Sequence, residues 1–124
     1  MSTTEDEIEV RRCDQENINE FGRLNNKLLE LQADMKQFTM DVEKLEDGAS
    51  ELMMVTDDKV MLFIGESFIE CTEEYATEYC ENKAEATKQR IADMKRDEDD
   101  IIRQQNILKK DLYARFGDTI NLEN

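Results

Sequence analysis

From Phe21 onward, apolar side chains return at alternating spacings of three and four: Phe21, Leu24, Leu28, Leu31, Met35, Phe38, Val42, Leu45, Ala49 and Leu52. A solitary amphipathic helix drifts toward a 3.6-residue period, whereas a strict 3.5-residue repeat keeps one narrow seam turned toward a partner helix. The repeat therefore predicts a coiled coil. Between the seam positions lie Asn25, Glu30, Asp34, Lys36, Glu43 and Lys44, a solvated outer face.

A second long helix is expected after Thr72, a suitable N-cap, because Glu73 and Glu74 then occupy the first turn, where the helix dipole favours negative charge. Its seam reads Cys80, Ala84, Thr87, Ile91, Met94, Glu98, Ile101, Gln105, Leu108 and Leu112, weakened by the polar Thr87, Glu98 and Gln105, and it should stop at Gly117. The first seam runs 31 steps from Phe21 to Leu52 and the second 32 steps from Cys80 to Leu112. Matched arms joined by a short insert can zip together antiparallel, bringing Leu52 near Cys80 and Phe21 near Leu112, with each arm spanning roughly 50 Å at the α-helical rise. The chain has no Pro and four Gly, at 22, 48, 65 and 117, so few points force a helix to end.

Between the arms, Asp57-Asp58 reads as a polar turn, and Val60–Ile64, Gly65-Glu66 and Ser67–Cys71 read as a β-hairpin. Gly at the first central position suits a two-residue type II′ turn, which needs φ > 0 there. A hairpin lying on one coiled coil would alternate apolar and polar residues, yet Val60, Met61, Leu62, Phe63 and Ile64 are all apolar, with Phe68 and Ile69 opposite. Both faces want cover, and the open edges invite further strands. Either hairpins from several chains join into a shared sheet or barrel, or the hairpin folds against its own helices. The expected organisation is a flexible acidic tail at 1–13, a coiled-coil helix at 14–54, a hairpin segment at 55–71, a second helix at 72–116 and a tail at 117–124. The fold class is mostly α, an antiparallel two-helix coiled coil with the hairpin at the connection contributing to an intersubunit β-barrel.

The other end of the paired arms gathers Phe21, Leu24, Leu108, Leu112, Tyr113, Phe116, Ile120 and Leu122. Helix ends are the least stable parts of such a structure, so this cluster is either a mobile, adaptable binding surface or the packing that closes the coil.

Charge narrows the partners. A net charge of −15 with 38% charged residues leaves no basic stripe for phosphate backbones or anionic lipid, and it keeps an elongated, partly apolar chain in solution. The longest apolar run, Val60–Ile64, is far short of a bilayer span, and residues 1–12 have neither a signal-peptide core nor a transit-peptide pattern. With no His and three cysteines (Cys13, Cys71, Cys80) lacking CxxC spacing, neither zinc nor a disulfide framework is indicated, and free thiols are expected. No nucleophile sits beside a plausible base, there is no phosphate loop, and Asp97-Glu98-Asp99-Asp100 lacks the Gly and spacing of a calcium loop. Neither an enzyme nor a cofactor is expected.

Four stretches resemble β-class subunits of the prefoldin family: Asp14-Gln15-Glu16-Asn17-Ile18-Asn19-Glu20-Phe21, Leu45-Glu46-Asp47, Ile64-Gly65-Glu66-Ser67-Phe68-Ile69, and Leu112-Tyr113-Ala114-Arg115-Phe116-Gly117 through Ile120-Asn121-Leu122-Glu123. The resemblance covers nearly the whole chain beyond the first dozen residues. It implies a subunit of a hexamer of two α-class and four β-class chains, with a β-barrel body and six coiled-coil arms, working without ATP. It further implies capture of unfolded clients such as actin and tubulin between the arm tips, delivery to the cytosolic chaperonin, and a cytoplasmic location. By matching position, Val60, Met61, Leu62, Phe63, Ile64, Phe68 and Ile69 would be the assembly hairpin, and Phe21, Leu24, Leu108, Leu112, Tyr113, Phe116, Ile120 and Leu122 the client-binding tip. The chain departs from the family where a longer first strand, often with a Pro and an aromatic, is expected before the Ile-Gly pair. The rival reading is a coiled-coil scaffold, or a prefoldin-like assembly subunit of another complex.

Overall fold

A computed structural model describes residues 10–54 and 59–123. The expected turn at Asp57-Asp58 and residues 1–9 of the acidic segment lie outside the described residues. In chain order the elements are helix α1 (Arg12–Leu52), strands β1 (Lys59–Ile64) and β2 (Ser67–Thr72), helix α2 (Glu73–Phe116) and a 3-10 turn at Gly117–Thr119. The chain divides into two compact units, Met1–Gln32 with Lys95–Asn124, and Ala33–Met94.

In the first unit, α1 opens where its sequence satisfies the free N–H groups of a first turn. Arg11 is the N-cap: its carbonyl takes the first helical bond, from Gln15 N–H at 3.0 Å, while its own N–H donates to Asp14 Oδ2 at 3.0 Å. An acid three residues into a helix reaching back to the cap is half of a capping box, which places the helix start two residues ahead of Asp14. The seam then alternates as the repeat demands: Leu24, Ile101, Leu112 and Phe116 are buried, and Phe21, Leu28, Leu31 and Leu108 half-buried. Glu98 and Gln105 occupy seam positions too and are buried. The Gln32 amide donates to Glu98 Oε2 at 3.0 Å and Lys95 lies 3.3 Å from the other oxygen, so the buried carboxylate is satisfied rather than orphaned. The Gln32 bond, set against the burial of the site and helped by Lys95, holds the Glu98 carboxyl below the usual carboxylate range. α2 ends at Gly117, whose φ of +57° is the left-handed conformation that closes helices, and the chain turns back through Gly117–Thr119.

In the second unit, Val42, Ala49, Ala76, Cys80, Ala84 and Met94 are buried and Met35, Phe38, Leu45, Leu52, Thr87 and Ile91 half-buried. The run Ala49, Ala76, Cys80 and Ala84 is built of small side chains, which let two helix backbones approach closely. Lys88 reaches Glu46 at 2.6 Å, and the Arg90 guanidinium lies 5.2 Å from the centre of the Phe38 ring, covering a half-buried aromatic. Thr72 caps α2 as expected, its Oγ1 accepting Tyr75 N–H at 3.2 Å. β1 and β2 pair antiparallel in register Lys59↔Thr72 through Ile64↔Ser67. Gly65 has φ +62° and, among the described residues, no non-Gly residue has positive φ, so the two-residue turn is type II′.

Candidate functional surfaces

The hairpin has two unlike faces, because directly paired residues share a face and successive residues alternate. One face carries Val60, Leu62, Ile64, Ser67, Ile69 and Cys71, with Val60, Leu62, Ile64 and Cys71 half-buried. The other carries Lys59, Met61, Phe63, Phe68, Glu70 and Thr72, and here Met61, Phe63 and Phe68 stand 61%, 56% and 66% exposed. Phe63 and Phe68 are cross-strand partners with ring centroids 4.8 Å apart, tilted 43°. Such a pair is worth about 1 kcal/mol beyond its burial. Lys59 and Glu70, 3.9 Å apart, lie at the base of the same face. The seven predicted hairpin residues are thus all on two paired strands, split between a half-covered face and an open apolar one. Among the described residues the sheet has two strands, so both are edge strands, whose outer backbone groups invite further pairing. Ile69 and, next to the hairpin in sequence, Met53, Met54 and Tyr75 are exposed as well.

The predicted tip residues all fall in the first unit, and none of the eight is fully exposed. Leu112 is 1% exposed, Leu24 and Phe116 are buried, and Phe21, Leu108, Tyr113, Ile120 and Leu122 are half-buried. Of the two outcomes left open for this cluster, local packing is what this conformation displays.

Sequence reasoning passed over the polar group that locks this end. Asp14 is 3% exposed although it is charged. Arg115 donates to it from Nη2 at 2.9 Å and from Nε at 3.3 Å, across the two helices. That bond, opposed by burial and aided by the Arg11 backbone N–H, pulls the Asp14 carboxyl down to about 2. Stepping the heptad back from Phe21 by four and three residues lands on Asp14, so the signal was present but disguised by a charged residue at a seam position. Among the described residues, no group of three or more His, Cys, Asp or Glu is placed to hold a metal ion, and no helix is long and apolar enough to cross a membrane.

Two antiparallel heptad helices joined through a hairpin, with an open apolar strand face and no buried side-chain polar atom left unpartnered among the described residues, make a protein of the helical coiled-coil class with a mid-chain β-hairpin. The family described as prefoldin subunit matches residues 15–119, and the chain belongs to that family. Its relatives include the probable prefoldin subunit 4 of Dictyostelium discoideum, 38% identical over 94% of this chain and 89% of that protein. The prefoldin subunit 4 of Homo sapiens is 31% identical over 95% and 90%, and that of Saccharomyces cerevisiae 31% over 89% and 86%. Among solved structures, the prefoldin beta subunit from Thermococcus strain KS-1 shares the fold with a TM-score of 0.76 at 14% identity, over 89% of this chain and 97% of that one. Prefoldin subunits are non-enzymatic chaperone components that assemble with one another, and this chain is one of them.

Proposed function

We propose that this chain is an assembly subunit of a hetero-hexameric prefoldin, docking through its hairpin into an intersubunit β-barrel and holding unfolded nascent chains, actin and tubulin among them, for transfer to the cytosolic chaperonin without ATP. The observation that carries the reading is the open hairpin face. Met61, Phe63 and Phe68 expose apolar surface on a two-stranded sheet with unpaired edges, which is marginal in water by itself and gains both cover and strand partners in a shared barrel. The subunit-4 names of its relatives support a place among other prefoldin subunits. The first-unit cluster around Phe21, Leu108 and Tyr113 is the proposed client side, reached when that end loosens, since helix termini open at low free energy.

Reconstitution with the partner subunits tests the hairpin. A Phe63→Ser/Phe68→Ser chain should keep its helical circular dichroism and yet fail to enter the complex on size exclusion. Entry of that variant at wild-type stoichiometry would contradict a hairpin-mediated assembly.

A further inference from the structure

Residues 120–123 belong to no helix or strand, yet they are not loose on the surface. Ile120 is extended, with φ −125° and ψ 144°, and burial then alternates: Ile120 and Leu122 are half-buried, Asn121 and Glu123 exposed. Alternation is what an extended strand shows when one side lies against apolar surface. Three bonds tie this segment to α2 in reverse order. Thr119 Oγ1 donates to the Phe116 carbonyl, Leu122 N–H donates to the Tyr113 phenolic oxygen at 3.0 Å, and Lys109 Nζ donates to Glu123 at 3.1 Å. The segment therefore runs back along the last turns of the helix. The same Lys109 ammonium lies 6.0 Å from the centre of the Phe21 ring, so the seat belongs to the cluster of Phe21, Tyr113 and Phe116. Two of these contacts read a tail side chain, the Thr119 hydroxyl and the Glu123 carboxylate; between them a phenol holds a main-chain N–H and apolar groups enter at every second position, which asks little of the sequence.

We propose that residues 120–123 are a self-ligand, occupying in cis a seat on α2 that takes an extended stretch of unfolded polypeptide with apolar residues at alternate positions. The inference rests on the client-side reading above and changes the part played by two residues in it: Ile120 and Leu122 occupy the client site instead of lining it. A seat filled in cis is open to other chains only for the fraction of time the tail is off, and apparent affinity falls by that fraction. The tail thus keeps the apolar end covered until a client competes for it.

The test uses the full chain within its native complex and a labelled peptide of the sequence Asp118–Asn124, with binding followed by fluorescence anisotropy. Ile120→Ser/Leu122→Ser empties the seat without altering it, and should bind the peptide about tenfold more tightly than wild type. Glu123→Lys breaks only the exposed ion pair and should tighten binding about two- to fivefold, which keeps the test decisive if the double variant loses helicity. Adding Lys109→Gln/Tyr113→Phe to either variant should abolish the gain. Unchanged or weaker peptide binding in a helical variant overturns the self-ligand. A wild-type complex that forms but does not hold unfolded chains contradicts the proposed function instead, and the peptide measurement is read independently of it.

Discussion

At the scale of single residues, the chain is held by polar groups placed where a repeat calls for apolar ones. Asp14 shows how such a group works. Its carboxyl is near 3.8 when free and is pulled down to about 2 in the folded chain, chiefly by the Arg115 hydrogen bond. A carboxyl depressed by folding contributes stability that is fully present above its unfolded value and is lost as pH falls through the folded one. The Asp14 contribution should therefore be intact at neutral pH and fade from about pH 4 down to about pH 2. Asp14→Asn should lower the melting temperature at pH 7 and show a flatter decline across that acid window, as followed by helical circular dichroism. Glu98 is the second case: buried, paired with Gln32 and Lys95, and sited in the seam. Because desolvating a charge offsets much of what its partners return, Gln32→Leu/Glu98→Leu should melt at or above the wild-type temperature. Gln32→Ala alone should melt lower, since it strips the buried carboxylate of a donor. Leu112, the most enclosed large side chain, behaves conventionally: Leu112→Ala should destabilise by about 3 kcal/mol in thermal or urea unfolding.

At the scale of elements, legibility followed how local the determining physics is. The ten α1 seam positions from Phe21 to Leu52 and the ten α2 positions from Cys80 to Leu112 are all buried or half-buried, because a 3.5-residue period states which side of a helix meets its partner. The Thr72 cap and the Gly65 turn were legible for the same reason, each needing one residue type at one position. The reach of the first helix was less so. Arg12 and Cys13 are helical because Asp14 reaches back to Arg11, while Met53 and Met54 leave the helix as a turn. The strand run was readable at Val60–Ile64, but which hairpin face is half-covered was not, since uniform apolarity carries no period. Nor was the inward packing of Leu24, Leu112 and Phe116 distinguishable from an exposed cluster, because it depends on how the chain returns after Gly117. The turn gives a clean test. A Cβ at Gly65 would meet nothing within 4 Å, so Gly65→Ala should act through backbone strain alone, lowering hairpin stability by about 1–2 kcal/mol, while Gly65→Asn should be milder. Hydrogen exchange of the Ile64 and Ser67 amides would report both.

At the scale of the molecule, two kinds of apolar surface have different standing. The first-unit cluster is largely closed by its own packing and by the returning tail, so the proposed client binding there depends on opening. The hairpin face is open as it stands, with Met61, Phe63 and Phe68 exposed together on one side of a sheet that has two strands among the described residues. A coiled-coil tether has no use for such a face at mid-chain, whereas a subunit of a larger body needs it. Membership of the prefoldin family gives that body its kind, and the place of this chain in it is what the proposed hairpin docking would supply. The most direct test is native mass spectrometry of the protein purified from its source without crosslinking. A discrete hetero-oligomer containing this chain, at a mass matching six subunits, is the expected result; a stable, helical lone monomer of 14.6 kDa as the main species would contradict the account.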